Sequence, residues 1–399
     1  MIKDHVPKVL FVSTYPPVKC GIASFTQDLV NAINAETNNF FSINICALDK
    51  KDSGLFYDES VIMTMDGHRL DSCIAAAESI NLDPSVKLVC IEHEFGLYGG
   101  DLGEYLLGFV ALLDKPFIIR FHTVLPSPDL KRLRIVQSIS LLADKIIVMT
   151  NHSSRLLLED YRLDEDKIVI IPHGTHDCST KSAGELKHKY HFDDKLILTT
   201  FGLLSPNKGV EKGILAMKKV IKEFPQAVYV VLGQTHPRLL MEEGEKYRNF
   251  LQLLIAENNL NKSVLLVNEY ASTKKLMEYL TLTDIYLFTS KDPNQAVSGT
   301  FLYAMSAGCP IISNSFVLAK EMLDEGSGVI VDPKNENELP DNVLRLLQND
   351  TLRKKMGQNA FLKMKDSKWH RVAQKHAGLF YEIIGKPVYA AQLSPLLMN

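Results

Sequence analysis

Short apolar runs recur along this chain at the spacing of buried strands, and helical patterns separate them. In the first half the runs are Val9–Val12, Ile43–Leu48, Leu88–Ile91, Phe117–Phe121, Ile146–Met149 and Ile168–Ile171. Between them, Phe25, Leu29, Ala32 and Ile33, and later Leu102, Leu106, Phe109 and Leu113, repeat with helical period. Strands that are apolar throughout and alternate with helices predict a parallel sheet covered on both faces. A polar stretch, 175–195, interrupts the pattern and reads as the connection between domains. The alternation then restarts at Leu196–Phe201 and continues through Val228–Leu232, Val264–Val267, Ile285–Phe288, Ile311–Ile312 and Val329–Val331.

The expected fold class is therefore α/β, two doubly wound Rossmann-like domains in tandem. The expected boundaries are 1–185 for the first domain, 186–368 for the second and 369–399 for a closing helix. That helix, about Trp369 to Ile384, carries Val372, Leu379, Phe380 and Ile383 on one face and is predicted to return to the first domain. In such sheets ligands bind off the carboxyl ends of the strands, so the expected site is a cleft faced by both sheets. A length of 399 residues suits two cores better than one.

Composition narrows the partners. Net charge is -3, from 44 basic and 47 acidic residues, which supplies no broad basic field for nucleic acid. No apolar stretch reaches bilayer-spanning length, and the N-terminal residues lack the long apolar core of a signal peptide. The six cysteines are scattered, without C-x-x-C spacing, and several lie in apolar runs. These features predict a cytoplasmic protein. The helix after Gly209 has a basic face, with Lys212, Lys218, Lys219 and Lys222. That face reads as solvated or as a membrane-surface contact, so membrane association is peripheral at most.

Candidate site residues sit in the loops that follow the strands. Ser298 is a good helix N-cap, Gly299 and Thr300 open the helix, and Gly308 closes it. A strand feeding a helix start through a polar loop is either a phosphate site or an ordinary turn. Lys208, in the loop after Phe201, is a point charge for a phosphate or a solvated lysine. His122 follows Phe121 and serves either a ligand hydroxyl or the fold. Gly21, at a helix start, lets backbone approach a ligand closely. His93 and Glu94 are neighbours on opposite strand faces, with no third ligand at helical spacing, so no metal site is expected. No G-x-G-x-x-G follows the first strand, which removes the dinucleotide fingerprint.

Taken in order, these loops resemble the retaining GT-B glycosyltransferases of family four, the glycosyl transferases group 1. The resemblance rests on Pro16-Pro17 with Gly21-Ile22, His122, Ile171-Pro-His-Gly174, Phe201-Gly202 with Lys208-Gly209, and the loop-helix from Gln295 to Pro310. It also takes in Glu321, before Gly326 to Val331. It implies transfer of a hexose from a nucleotide sugar, a GDP- or UDP-hexose, to a saccharide or other hydroxyl acceptor, with retention and without metal or other cofactor. It further implies that His122, Lys208 and Gln295 act in catalysis. Gly202, Ser298, Gly299, Thr300, Tyr303 and Glu321 then bind the donor, and Gly21 and Glu94 the acceptor side.

The departures are specific. Leu203 stands where the family has an arginine, and Gln295 and Tyr303 stand where it has paired glutamates. A shorter likeness, Ala296-Val-Ser-Gly-Thr300, is similar to the phosphate loop of glycogen-phosphorylase-type enzymes. A phosphorylase using inorganic phosphate is thus one alternative. A non-catalytic module for a sugar or nucleotide sugar is the other.

Overall fold

Parallel strands buried on both faces form the framework in the computed structural model, which describes residues 6–385 apart from 39, 51, 52 and 325. The expected reach of the first domain to residue 1, and of the closing segment past 385, lies outside the described residues. The first sheet contains β1 (Lys8–Ser13), β2 (Ser42–Leu48), β3 (Val61–Met65), β4 (Val86–His93), β5 (Phe117–Phe121), β6 (Lys145–Val148) and β7 (Ile168–Ile170). Its order is β3-β2-β1-β4-β5-β6-β7, and every pair is parallel.

The second sheet contains β8 (Leu196–Phe201), β9 (Ala227–Leu232), β10 (Val264–Val267), β11 (Ile285–Phe288), β12 (Ile311–Asn314) and β13 (Gly328–Val331). Its order is β10-β9-β8-β11-β12-β13, again all parallel. Strand order reverses between β1 and β4 and between β8 and β11. The carboxyl ends beside those reversals are where such sheets bind ligands.

One strand escaped the sequence pattern. β3 lies at the sheet edge and alternates between partly buried and exposed residues up to Met65. An edge strand does not need the continuous apolar run that marks a central one.

Two compact units result, each with its own core. The first runs to Gly174 and resumes at Trp369; the second is Thr175–Lys368. Residues 175–185, read from sequence as the end of the first domain, pack with the second. Thr175 bridges to Lys368, and Ser182 and Glu185 form a reciprocal capping box. The helix they start, Ala183–Lys189, buries Leu186 completely. In β8 and β9, alternate residues feed opposite cores: Ile197, Phe201, Val228 and Val230 one, Leu198, Tyr229 and Val231 the other.

In the first unit, the helix Trp369–Ile384 packs along the helix Gly21–Thr37. Phe380 meets Phe11 and Phe41 edge-on, with ring centroids 6.4 and 5.6 Å apart. Gly174 is held to glycine by this docking, because a Cβ there would stand 2.1 Å from the Trp369 ring. Among the described residues no helix is long and apolar enough to cross a membrane.

Candidate active site

Glu92 on β4 and Arg120 on β5 are direct register partners, so they share one face of the first sheet. His122 lies two residues beyond Arg120 and returns to that face. Both charged side chains are buried, at 1% and 3% exposure. Arg120 Nη1 donates to Glu92 Oε1 at 2.6 Å, and His122 Nε2 donates to Glu92 Oε2 at 2.7 Å. Burial pushes the Glu92 carboxyl pKa up, but the Arg120 charge and the His122 hydrogen bond outweigh it and hold it below the ordinary value.

Phe25, one turn into the helix Gly21–Thr37, fills the space above. Its ring centroid lies 5.2 Å from that of His122 and 4.9 Å from that of His173, and the Arg120 guanidinium sits 4.9 Å from its centre. His93 points to the opposite face, among Phe95, Tyr98 and Phe121. Both its ring nitrogens are buried without a partner, and burial pulls its pKa down to about 3.

Of the residues expected here, His122 keeps a 12% exposed side chain at the end of β5. Glu94 ties two strand-end loops together, accepting from Thr123 Oγ1 at 2.5 Å and from the Phe95 amide at 3.1 Å. Gly21 is the exposed first residue of its helix, with open space where a Cβ would stand.

In the second unit three expected residues converge. Gly202 has φ +124°, and a Cβ there would lie 3.6 Å from Lys208 Nζ and 3.1 Å from Thr300 Cγ2. Lys208 closes the short turn Pro206–Lys208 after β8. Its ammonium has no acceptor among the described residues, and burial alone lowers its pKa from the ordinary lysine value. Ser298 caps the helix Gly299–Ser306: its Oγ accepts from the Phe301 amide at 3.4 Å and lies 3.1 Å from Thr300 Oγ1. The amides of Gly299 and Thr300 have no intrahelical acceptor by position.

Gln295 is turned onto its own loop. Its Oε1 accepts from Ser290 Oγ at 3.3 Å and its Nε2 donates to the Val297 carbonyl at 3.1 Å. Tyr303 stacks on Phe201, with centroids 6.4 Å apart, and meets the His176 ring edge-on at 5.2 Å. Glu321 is exposed in the short helix Val317–Met322, whose first amides reach the carbonyls of Pro293 and Gln295. No group of three or more His, Cys, Asp and Glu side chains that could hold a metal occurs among the described residues.

Sequence reasoning assigned no role to Glu92, Arg120 and His376 in the first unit, and named His173 and His236 only as parts of strand-end loops. Burial, then the charges of Arg238 and Lys208, lower the His236 pKa. A usable signal existed for Glu92 and Arg120. Each interrupts an otherwise apolar strand, and a charge in such a place must be paired.

Residues 184–363, nearly all of the second unit, match the family model of the glycosyl transferases group 1. An uncharacterized glycosyltransferase of Methanocaldococcus jannaschii, MJ1069, is 25% identical over 61% of this chain. The match spans only 59% of that relative's length.

Among solved structures, HepE of Anabaena superposes with TM-scores of 0.74 in complex with UDP and 0.73 in complex with UDP-glucose. It is 14% identical in both, over 94% of this chain and 100% and 99% of those chains. Sucrose-phosphate synthase of Thermosynechococcus elongatus superposes at 0.75, with 16% identity, over 96% of this chain and all of that one. These likenesses, with the two parallel sheets, give the GT-B fold expected from the sequence.

Proposed function

We propose that this protein is a retaining glycosyltransferase, moving a hexose from a nucleotide sugar to a hydroxyl acceptor, with the donor on the second unit and the acceptor on the first. The observation that carries the reading is Lys208: a partly buried ammonium without a carboxylate, beside Gly202 and the Thr300 helix start, in a group 1 domain. An uncompensated cation next to free amides is built for an anion. The diphosphate of a nucleotide sugar supplies one. UDP is the first nucleotide to test, because HepE is solved with UDP and UDP-glucose; GDP is the second.

In the reaction, the bond between the anomeric carbon and the diphosphate oxygen breaks, and the nucleoside diphosphate leaves. Lys208 and the amides of Gly299 and Thr300 stabilise the charge that builds on it. The acceptor hydroxyl oxygen bonds to the anomeric carbon on the same face and gives its proton to the leaving phosphate. His122 hydrogen-bonds the transferred sugar or the acceptor. Gln295 and Tyr303 contact the sugar and nucleotide by neutral hydrogen bonds and ring faces, in place of carboxylates. The cytoplasm, where nucleotide sugars are made, is the expected location.

A thermal-shift panel of UDP, GDP, ADP and inorganic phosphate tests this, followed by turnover of UDP-glucose. Stabilisation by a nucleoside diphosphate is expected. Stabilisation by phosphate alone would instead assign a phosphorylase, and no response to any of them a non-catalytic module.

A further inference from the structure

His122 ends a chain of hydrogen bonds that starts on the last described helix. His376 Nδ1 donates to the Val372 carbonyl one turn earlier, at 2.7 Å. That leaves the Nε2 lone pair of His376 to accept from Arg120 Nη2. Arg120 Nη1 holds Glu92 Oε1, and Glu92 Oε2 holds His122 Nε2. Each link has only one polarity. A guanidinium only donates and an ionised carboxylate only accepts, so His122 carries its proton on Nε2. Nδ1 of His122 then bears a lone pair and has no partner among the described residues.

His376 is 1% exposed and sits within the same unit, so the chain is buried from His376 to Glu92 and opens only at His122, whose side chain is 12% exposed. Phe25 clamps it from above, touching Arg120, His122, His173 and Trp369.

We propose that Arg120 and His376 are positioning residues: through Glu92 they lock His122 as the Nε2–H tautomer and present Nδ1 as the acceptor for a substrate hydroxyl. The hydroxyl acceptor rests on the transferase reading; the tautomer lock does not.

Nitrogen-15 spectra of the full chain with labelled histidine test the lock directly, with His122 assigned by the signals lost in His122→Gln. In the unaltered protein, His122 should show a protonated Nε2 and a pyridine-like Nδ1. His376→Leu removes the acceptor for Arg120. The His122 signals should then shift toward a mixture of tautomers. Turnover should fall about ten- to a hundredfold, the cost of a misplaced group, with the donor KM within about twofold. His376→Gln restores an acceptor and should recover most of both.

A His122 protonated on Nδ1 in the unaltered protein overturns the proposal, even if the leucine variant does not fold. So do unchanged His122 signals in a folded His376→Leu. If the signals shift but the unaltered protein turns over no nucleotide sugar, the lock stands and the transferase reading falls.

Discussion

The two strand-end sites handle charge in opposite ways. In the first unit every buried charge is answered: Arg120 by Glu92, and Glu92 again by His122. In the second, Lys208 is partly buried and unanswered among the described residues, beside amides that also lack acceptors. A closed network fixes the geometry of its own members. An open one waits for a charge from outside. On the proposed reading, the difference separates a site that orients a side chain from a site that binds an anion, and it follows from the charge count at each strand end.

Removing a charge from the closed network should have the largest effect. Arg120→Met leaves Glu92 as a buried carboxylate facing one histidine and should destabilise the protein by about 3–5 kcal/mol. Urea unfolding followed by circular dichroism measures it. A loss under 1 kcal/mol would mean the network relaxes to water, and the contrast with Lys208 would collapse. Lys208→Ala is the mirror experiment. It should cost about 2–4 kcal/mol of transition-state stabilisation, roughly 30- to 1000-fold in turnover, with no loss in folding stability. Unchanged kinetics would return Lys208 to a structural role.

Acid should separate the units. Burial holds His173 near a pKa of about 4 and His93 near about 3, both below the ordinary 6.5. Between pH 6.5 and those values the unfolded chain binds protons that the folded first unit refuses. Stability is therefore full above pH 6.5 and falls as pH drops, by about 1.4 kcal/mol per pH unit for each such histidine. Glu92, whose pKa is depressed, adds a further loss below its ordinary value of 4.5. In the second unit, His236 shifts in the same direction. Hydrogen exchange should show β4 and β5 losing protection at higher pH than β8 and β9. Trp369, the sole tryptophan, stands 6.0 Å from the His173 ring and reports the first unit by fluorescence. Simultaneous loss in both sheets would refute the contrast.

The smallest effect is expected at Gln295. A carboxylate there cannot donate to the Val297 carbonyl, so Gln295→Glu gives up one hydrogen bond, worth about 0.5–1.5 kcal/mol net. Nucleotide-sugar turnover should be maintained or rise. A raised KM for inorganic phosphate with no nucleotide response would instead favour the phosphorylase.

What the sequence made legible was local. β5 was bounded correctly because all five of its residues are buried, while β3, an edge strand, left no apolar run. Lys208 and Ser298 could be singled out because a loop between a strand and a helix start carries its chemistry within a few residues. The Glu92 network could not. Its pairing depends on strand register, and its last member, His376, is 256 residues from Arg120 in sequence. The capping of Ala183–Lys189 by Ser182 was readable in principle, but the polar residues around it masked one buried leucine.

The return of Trp369–Ile384 to the first unit has a consequence for synthesis. The chain leaves the ribosome from its N-terminus, so β8 to β13 are all made before the first unit receives the helix Trp369–Ile384. A nascent chain released at Lys368 would carry every strand of both sheets, yet Arg120 would lack His376 and Phe25 would lack Trp369. The unit translated first is thus the one finished last, and its exposed Phe11 and Phe41 surface is what a cellular chaperone would meet in the interval.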